Sequence, residues 1–301
     1  MKMHADEVDV DVRLVRRLVA TQFPEWTRLP VEPVLPRGTD NALYRVGADL
    51  VARLPRTPRT VATLEKERQW LQRLAPFLPL AVPTPVADGE PGEGYPFVWS
   101  VYRWLDGANA VDEPLADLRL AARQLGDFLV ALQRIDATGG PPPGAHNFGR
   151  GEPLERRDAA VRSSIAVLGA DVDVAAVTAA WEAALEAPRW ERPPVWVHGD
   201  LDARNVLVTA GRLSGVVDWG GLGVGDPASD VMVAWKLFSA DAREVFRSAL
   251  GVDDSTWERA RGWALSQAVN ALSYYTLETN PVLVRESRRW LAEALADGAR
   301  P

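Results

Sequence analysis

The chain has no cysteine and only three histidines, His4, His146 and His198, in 301 residues. The first absence excludes disulfides and thiolate metal sites and fits a cytoplasmic chain. The second makes a three-histidine zinc centre a poor reading. No stretch reaches the roughly 18 uninterrupted apolar residues of a membrane span. The opening residues, MKMHADEVDVDVRLV, lack the apolar core of a signal peptide. With a net charge of −7 the chain has no basic surplus of the kind that nucleic acid attracts, so no nucleic-acid or membrane partner is expected. Such acidity favours a cationic ligand, although many proteins of this charge bind none. Hydrophobic residues (47%) and charged residues (25%) stand in the balance of an ordinary globular protein. Composition says nothing about oligomeric state.

Residues 8–23 space their apolar side chains at helical intervals and stop at Pro24. The next segment, LPVEPVLPRGTDNALYRVGADLVARLPR, reads as three short strands with turns at 36–38 and 46–49. A helical period returns over 60–75, with Leu64, Trp70, Leu71 and Leu74 on the apolar side. A connection rich in proline (Pro76, Pro79, Pro83, Pro85) then leads to YPFVWSVYRWLDG, where aromatic and β-branched residues predict a strand. Strands with one helix predict a small N-terminal α+β lobe over 1–106. Beyond it come a long amphipathic helix at 115–136 and the loop GGPPPGAHNFGRGEP, whose length points to function or mobility. Helical patterns follow at 155–168, at 173–187 and from 227 onward. A second, larger and mostly helical lobe is expected over 107–301, interrupted by one β-rich insertion from His198 to Asp218.

That insertion, VWVHGDLDARNVLVTAGRLSGVVDW, sets His198, Asp200, Asn205 and Asp218 between apolar runs. Taken singly, each of these residues fits turn chemistry, since Asp, Asn and Gly are what hairpins require. Together they fit H-x-D-x-x-x-x-N followed by an Asp-Trp pair. Phosphoryl transfer needs such parts: a carboxylate to orient and deprotonate the attacking hydroxyl, and an amide oxygen and a second carboxylate to hold Mg²⁺. The N-terminal part supplies further kinase components in the required order. In PRGTDNALYRV, Gly38, Thr39 and Asn41 either let backbone N–H groups approach phosphates or form a plain hairpin turn. LVARLPR places Arg53 between apolar neighbours, where a kinase sets the cation that meets the α/β-phosphates. Glu67 borders the apolar face of the 60–75 helix and can turn inward to Arg53; its alternative is an exposed charge.

The chain resembles the aminoglycoside phosphotransferase/choline kinase family from about Leu29 to Leu295, most specifically in VHGDLDARNVLV, GVVDWGGLGVGDPASD and LVARLPR. The resemblance implies a bilobal protein-kinase-like α+β fold, with ATP or GTP as co-substrate and Mg²⁺ as cofactor. By that similarity Asp200 is the catalytic base, Asn205 and Asp218 are the metal ligands, and His198 braces the catalytic loop. Asp226 and Asp230 are expected to stabilise the start of the following helix. Matching YRWLDG to the family's interlobe connection makes Tyr102–Asp106 the adenine hinge, with backbone bonds from Arg103 and Leu105. Two departures stand out: Arg53 replaces the family's lysine, and the loop reads DLDARN where members often read DLHPGN.

The acceptor is expected to be a small molecule with a hydroxyl, such as an aminoglycoside-like antibiotic or a related metabolite. Choline, homoserine, sugar or macrolide kinases and a nucleotide-binding pseudokinase are the alternatives. Tyr274, Tyr275 and Glu278 lie where the family forms its acceptor pocket, and Asp202 or Glu278 would attract an amine. The same aromatic spacing also fits core packing. Other nucleotide motifs are absent: WGGLGVGD is not G-x-G-x-x-G, and neither a P-loop signature nor G-x-S-x-G occurs.

Overall fold

A computed structural model describes residues 7–35 and 41–298. The chain divides into two compact units, the first running to Gly107 and including Gly215–Gly220, the second holding the remainder.

In the first unit, helix α1 (Val12–Gln22) starts at Asp11, whose carboxylate accepts the Leu14 amide at 2.7 Å. Strands β1 (Val31–Pro33), β2 (Asn41–Val46) and β3 (Leu50–Pro55) follow, then helix α2 (Pro58–Leu74), β4 (Pro85–Gly89) and β5 (Trp99–Arg103). The five strands form an antiparallel sheet in the order β1-β2-β3-β5-β4. Its inward positions alternate with outward ones, and Val46, Ala52, Leu54, Trp99 and Val101 join Val15 and Leu18 of α1 in one buried cluster. β4 lies in the proline-rich stretch that the sequence suggests as a connection. It is an edge strand with an irregular register between Pro85 and Ala87, the setting in which a sheet tolerates proline. The segment 215–220 is tied to this unit by a parallel bridge between Gly215 and Ala81 and by the Val216 amide, which donates to the Ala81 carbonyl at 2.8 Å.

The second unit begins with β6 (Ala108–Asn109) and helix α3 (Leu118–Arg134), followed by α4 (Asp158–Leu168) and α5 (Val174–Glu186). Next come β7 (Val195–Val197), β8 (Val206–Thr209), β9 (Arg212–Val216, whose last two residues count with the first unit) and β10 (Gly223–Gly225). Helices α6 (Ala228–Val231), α7 (Val233–Leu237), α8 (Ala240–Leu250), α9 (Asp254–Tyr274) and α10 (Pro281–Gly298) complete it. β10 pairs antiparallel with β7, and β6 with β8. The loop from His198 to Asn205 therefore leaves one buried strand and enters another. α9 is buried on most of its circumference, from Trp257 to Val269, because other helices pack around it. No helix among the described residues is long and apolar enough to cross a membrane.

Candidate active site

The loop after β7 is held by its own polar groups. Gly199 has φ +85°, and a side chain there would collide with the Gly221 carbonyl, so only glycine fits the turn. Buried Asp230 accepts the backbone amides of His198 and Gly199, each at 2.7 Å. Asp230 also stands in the first turn of its own helix. α6 is only four residues long, and the Asp230 carboxylate leaves it to grip the loop. Burial pushes the Asp230 carboxyl up, against the pull of His198 and the two amides. Asp226 does cap that helix, accepting from the Ala228 amide at 3.0 Å, and it also meets Arg259 through two bonds of 2.7 and 3.1 Å.

His198 is fully buried, and its Nδ1 accepts the Asp200 amide at 3.2 Å. Asn205 donates its amide N–H to the Asp200 carbonyl at 2.8 Å and lies 3.4 Å from the Asp200 carboxylate, while its own amide oxygen is unengaged among the described residues. The backbone and side chain of this loop thus fix Asp200 while leaving its carboxylate partly open to solvent.

Asp202 overturns an expectation. It is not an acceptor contact: it is fully buried and paired with Lys236 at 3.4 Å and with Arg204, whose backbone amide and Nε also donate to it at 2.8 and 3.0 Å. Burial opposes ionisation of Asp202, yet Lys236 and Arg204 overcome it and hold its carboxyl well below the usual carboxylate range. The pair anchors the chain between Asp200 and Asn205, whose amide donates to the Asp202 carbonyl at 3.0 Å.

The proline-glycine loop of the second unit is ordered. Asn147, fully buried, accepts the Gly144 amide and donates to the Arg150 carbonyl, both at 3.0 Å. Arg150 is thereby presented to the loop after β7. Its Nε donates to the Gly199 carbonyl at 2.6 Å and its Nη2 lies 3.8 Å from an Asp200 oxygen. Neither Arg150 nor Lys236 belongs to a motif legible in the sequence. Lys236, alone in the apolar run VMVAWKLF, carried the one usable signal, since a charge inside a buried helix needs a partner.

In the first unit, Arg53 meets fully buried Glu67 through Nη1–Oε2 and Nη2–Oε1, the latter at 3.0 Å. Glu67 belongs to the packed face of α2 with Leu64, Trp70 and Leu71. Asn41, its amide oriented to suit its neighbours, accepts from Arg53 Nε at 3.1 Å; Gly38 and Thr39 lie outside the described residues. Arg53 Nη2 also lies 3.8 Å from an oxygen of Asp218, whose side chain is 58% exposed. Asp218 has φ +60°, a left-handed conformation that Asp tolerates better than most residues and that gathers at functional sites. Lys66 donates to the Gly220 carbonyl at 2.9 Å, fastening the same turn. In the expected hinge, the Arg103 amide already donates to Thr84 at 2.9 Å, which leaves its carbonyl alone for a ligand; Leu105 engages neither backbone group among the described residues.

The remaining acceptor candidates lie at the far end of α9. Tyr274 is largely exposed, while Tyr275 and Glu278 line a cleft of about 700 Å³ with Asp171, Arg288 and apolar residues of α10.

The sequence profile described as the Phosphotransferase enzyme family matches residues 33–263, the segment from β1 to Trp263 that holds all these groups except the last three. The chain belongs to that family. No curated protein matches it. Among solved structures, this phosphotransferase-family chain is similar to wild-type aminoglycoside 2'-phosphotransferase-IIIa in its GDP complex, with 20% identity, a TM-score of 0.75, and coverage of 96% of this chain and 100% of that one. It is similar as well to a GDP and kanamycin complex of APH(2")-IIIa, at 22% identity and TM-score 0.72, covering 94% and 98%. Macrolide 2'-phosphotransferase MphH from Brachybacterium faecium shares 23% identity at TM-score 0.62, covering 97% and 99%. These likenesses establish the fold, a mixed α/β chain with a sheet-rich N-terminal part and a helical C-terminal part.

Proposed function

We propose that this chain is a Mg²⁺-dependent kinase that moves the γ-phosphoryl group of ATP or GTP onto a hydroxyl of a small molecule. The observation that carries this reading is the placement of Asp200. Its amide is held by His198, its carbonyl by Asn205, and its carboxylate is left open on a loop gripped by buried Asp230. In that role Asp200 takes the proton of the acceptor hydroxyl as its oxygen bonds to the γ-phosphorus and ADP or GDP departs. Arg53, positioned by Glu67, meets the nucleotide phosphates, and the Arg103 carbonyl and Leu105 amide meet the base.

Asn205 and Asp218 fit as ligands for Mg²⁺. One offers an unengaged amide oxygen and the other an exposed carboxylate, hard oxygen donors of the kind Mg²⁺ takes alongside water and phosphate. Magnesium, when bound, neutralises charge on the transferring phosphates. Relatives crystallised with kanamycin or described as macrolide kinases make those antibiotics the first acceptors to try, with choline, homoserine and sugars next. The test is ADP or GDP release from Mg²⁺-nucleotide, with ATP and GTP assayed separately against this panel. Stimulation by one acceptor class, lost in Asp200→Ala, supports the kinase. Tight Mg²⁺-nucleotide binding with no stimulation by any acceptor supports a nucleotide-binding pseudokinase instead.

A further inference from the structure

An amine drawn to an acidic pocket does not match what surrounds Asp200 within the helical unit. Asp202, the nearest further carboxylate on the loop, is buried and neutralised by Lys236 and Arg204. The charged side chain that approaches the base is a cation. Arg150 lies 3.8 Å from Asp200, and burial, with repulsion from Arg150, pushes Arg157 down to about 10 against the pull of Glu152. Arg157 donates to Ser266 Oγ at 2.7 Å and has no carboxylate within 4.0 Å among the described residues. Both guanidiniums lie over one ring, with Arg157 at 4.8 Å and Arg150 at 5.6 Å from the Trp263 centroid.

Trp263 is itself buried, and its indole N–H has no partner among the described residues. One helical turn later the buried amide nitrogen of Gln267 is also unpaired, although its oxygen accepts from Lys236 at 2.9 Å. Both unpaired atoms are donors, four residues apart on α9, and the first belongs to the ring on which both arginines lie. Two like charges brought together out of water, next to donors with nothing to donate to, are stabilised by an acceptor-rich anion. This gathering of donors and cations stands against a whole-chain charge of −7.

Resting on the kinase reading above, we propose that the acceptor carries a carboxylate, which Arg150 and Arg157 receive beside Trp263 while its hydroxyl faces Asp200. Planar guanidiniums meet a carboxylate through paired, charge-assisted hydrogen bonds. A polycationic acceptor would meet the same arginines as like charges.

The test follows the indole N–H signals of the full chain by ¹⁵N NMR, with and without Mg²⁺-ADP. Trp263 is one of twelve tryptophans, and Trp263→Phe assigns its signal. Malonate is the probe, with malonamide and 1,3-diaminopropane as its neutral and cationic counterparts. Malonate should move the Trp263 signal saturably and the other two should not. Arg157→Gln should weaken malonate binding about tenfold or more, the loss of one charge-assisted bond, and Arg157→Lys should weaken it less. The remaining indole signals report whether each variant is folded. The proposal is overturned if malonate produces no saturable shift, if neither Arg157→Gln nor Arg150→Gln weakens it, or if the diamine binds there more tightly. Should a polyamine antibiotic then stimulate nucleotide turnover in an Asp200-dependent way, the anionic acceptor falls and the kinase reading stands. A chain that binds malonate at Trp263 yet fails to bind Mg²⁺-nucleotide would reject the kinase reading alone.

Discussion

The carboxylate of Asp230 accepts two successive backbone amides, those of His198 and Gly199, at 2.7 Å each. Both amides precede Asp200, so a side chain on α6 sets the path of the loop that carries Asp200. In Asp230→Ala both amides lose their acceptor while staying buried. Each unmet donor costs about 1–3 kcal/mol, so the variant should lose roughly 2–6 kcal/mol in urea unfolding. Hydrogen exchange at Gly199 should accelerate along with it. Asp230→Asn, which keeps one acceptor oxygen but turns a donor toward the other amide, should recover only part of the loss. Unchanged stability and exchange in the alanine variant would show that water replaces the carboxylate.

Asp200 is held by backbone and amide contacts that Asp200→Asn leaves in place. Only the capacity to accept a proton is removed. Turnover should fall by about 10²–10⁴-fold, the usual scale for a general base, while the Kd for Mg²⁺-nucleotide, read by calorimetry, should stay close to wild type. A variant with near wild-type turnover would take the proton-accepting role away from Asp200.

Much of this was legible in the sequence. Alternating and helical periods marked the strands β2, β3 and β5 and the long helices, because the apolar face of each is buried against one partner layer. Strand β4 was hidden, since an edge strand can carry prolines and shows little alternation. The H-x-D-x-x-x-x-N spacing picked out His198, Asp200 and Asn205 because the chemistry is confined to eight consecutive residues. Arg150, Arg157 and Lys236 belong to no local motif, since these partners lie 34 to 109 residues away in sequence and no local spacing encodes such a meeting. Asp202 was misread for a related reason: its charge looks solvent-facing in the loop, and only Lys236, 34 residues later, buries it. The chain has just three lysines, Lys2, Lys66 and Lys236, and two of them anchor loops of the candidate site, a hint available from rarity alone.

Glu67 is fully buried against Arg53. Glu67→Ala leaves that guanidinium without its main counter-charge and should cost about 3–5 kcal/mol in stability. The Asp218 carboxylate is only 3.8 Å from Arg53, so the freed arginine should swing toward it and weaken Mg²⁺-nucleotide binding as well. Arg53→Lys keeps the charge but cannot span both Glu67 oxygens. It should bind nucleotide more weakly than wild type and more tightly than Arg53→Met, with the order read from Kd values. Equal affinities across the three would mean that Arg53 serves packing alone.

Lys66 holds the turn after Asp218 through the Gly220 carbonyl, and burial pushes its ammonium down to about 8 against the pull of Glu67. The unfolded chain keeps the ordinary lysine value, so between pH 8 and about 10.4 the unfolded state binds more protons than the folded one. Stability contributed by this residue therefore rises with pH across that window, and the penalty for burying the charged amine is fully present below pH 8. The difference in unfolding free energy between wild type and Lys66→Met should accordingly shift in favour of wild type from pH 8 to pH 10. With so few lysines, ¹³C-labelled side chains can be followed one by one, and the Lys66 signal should titrate near 8. A midpoint near 10.4 would mean that the amine stays hydrated and that its contact with Gly220 adds little to holding Asp218.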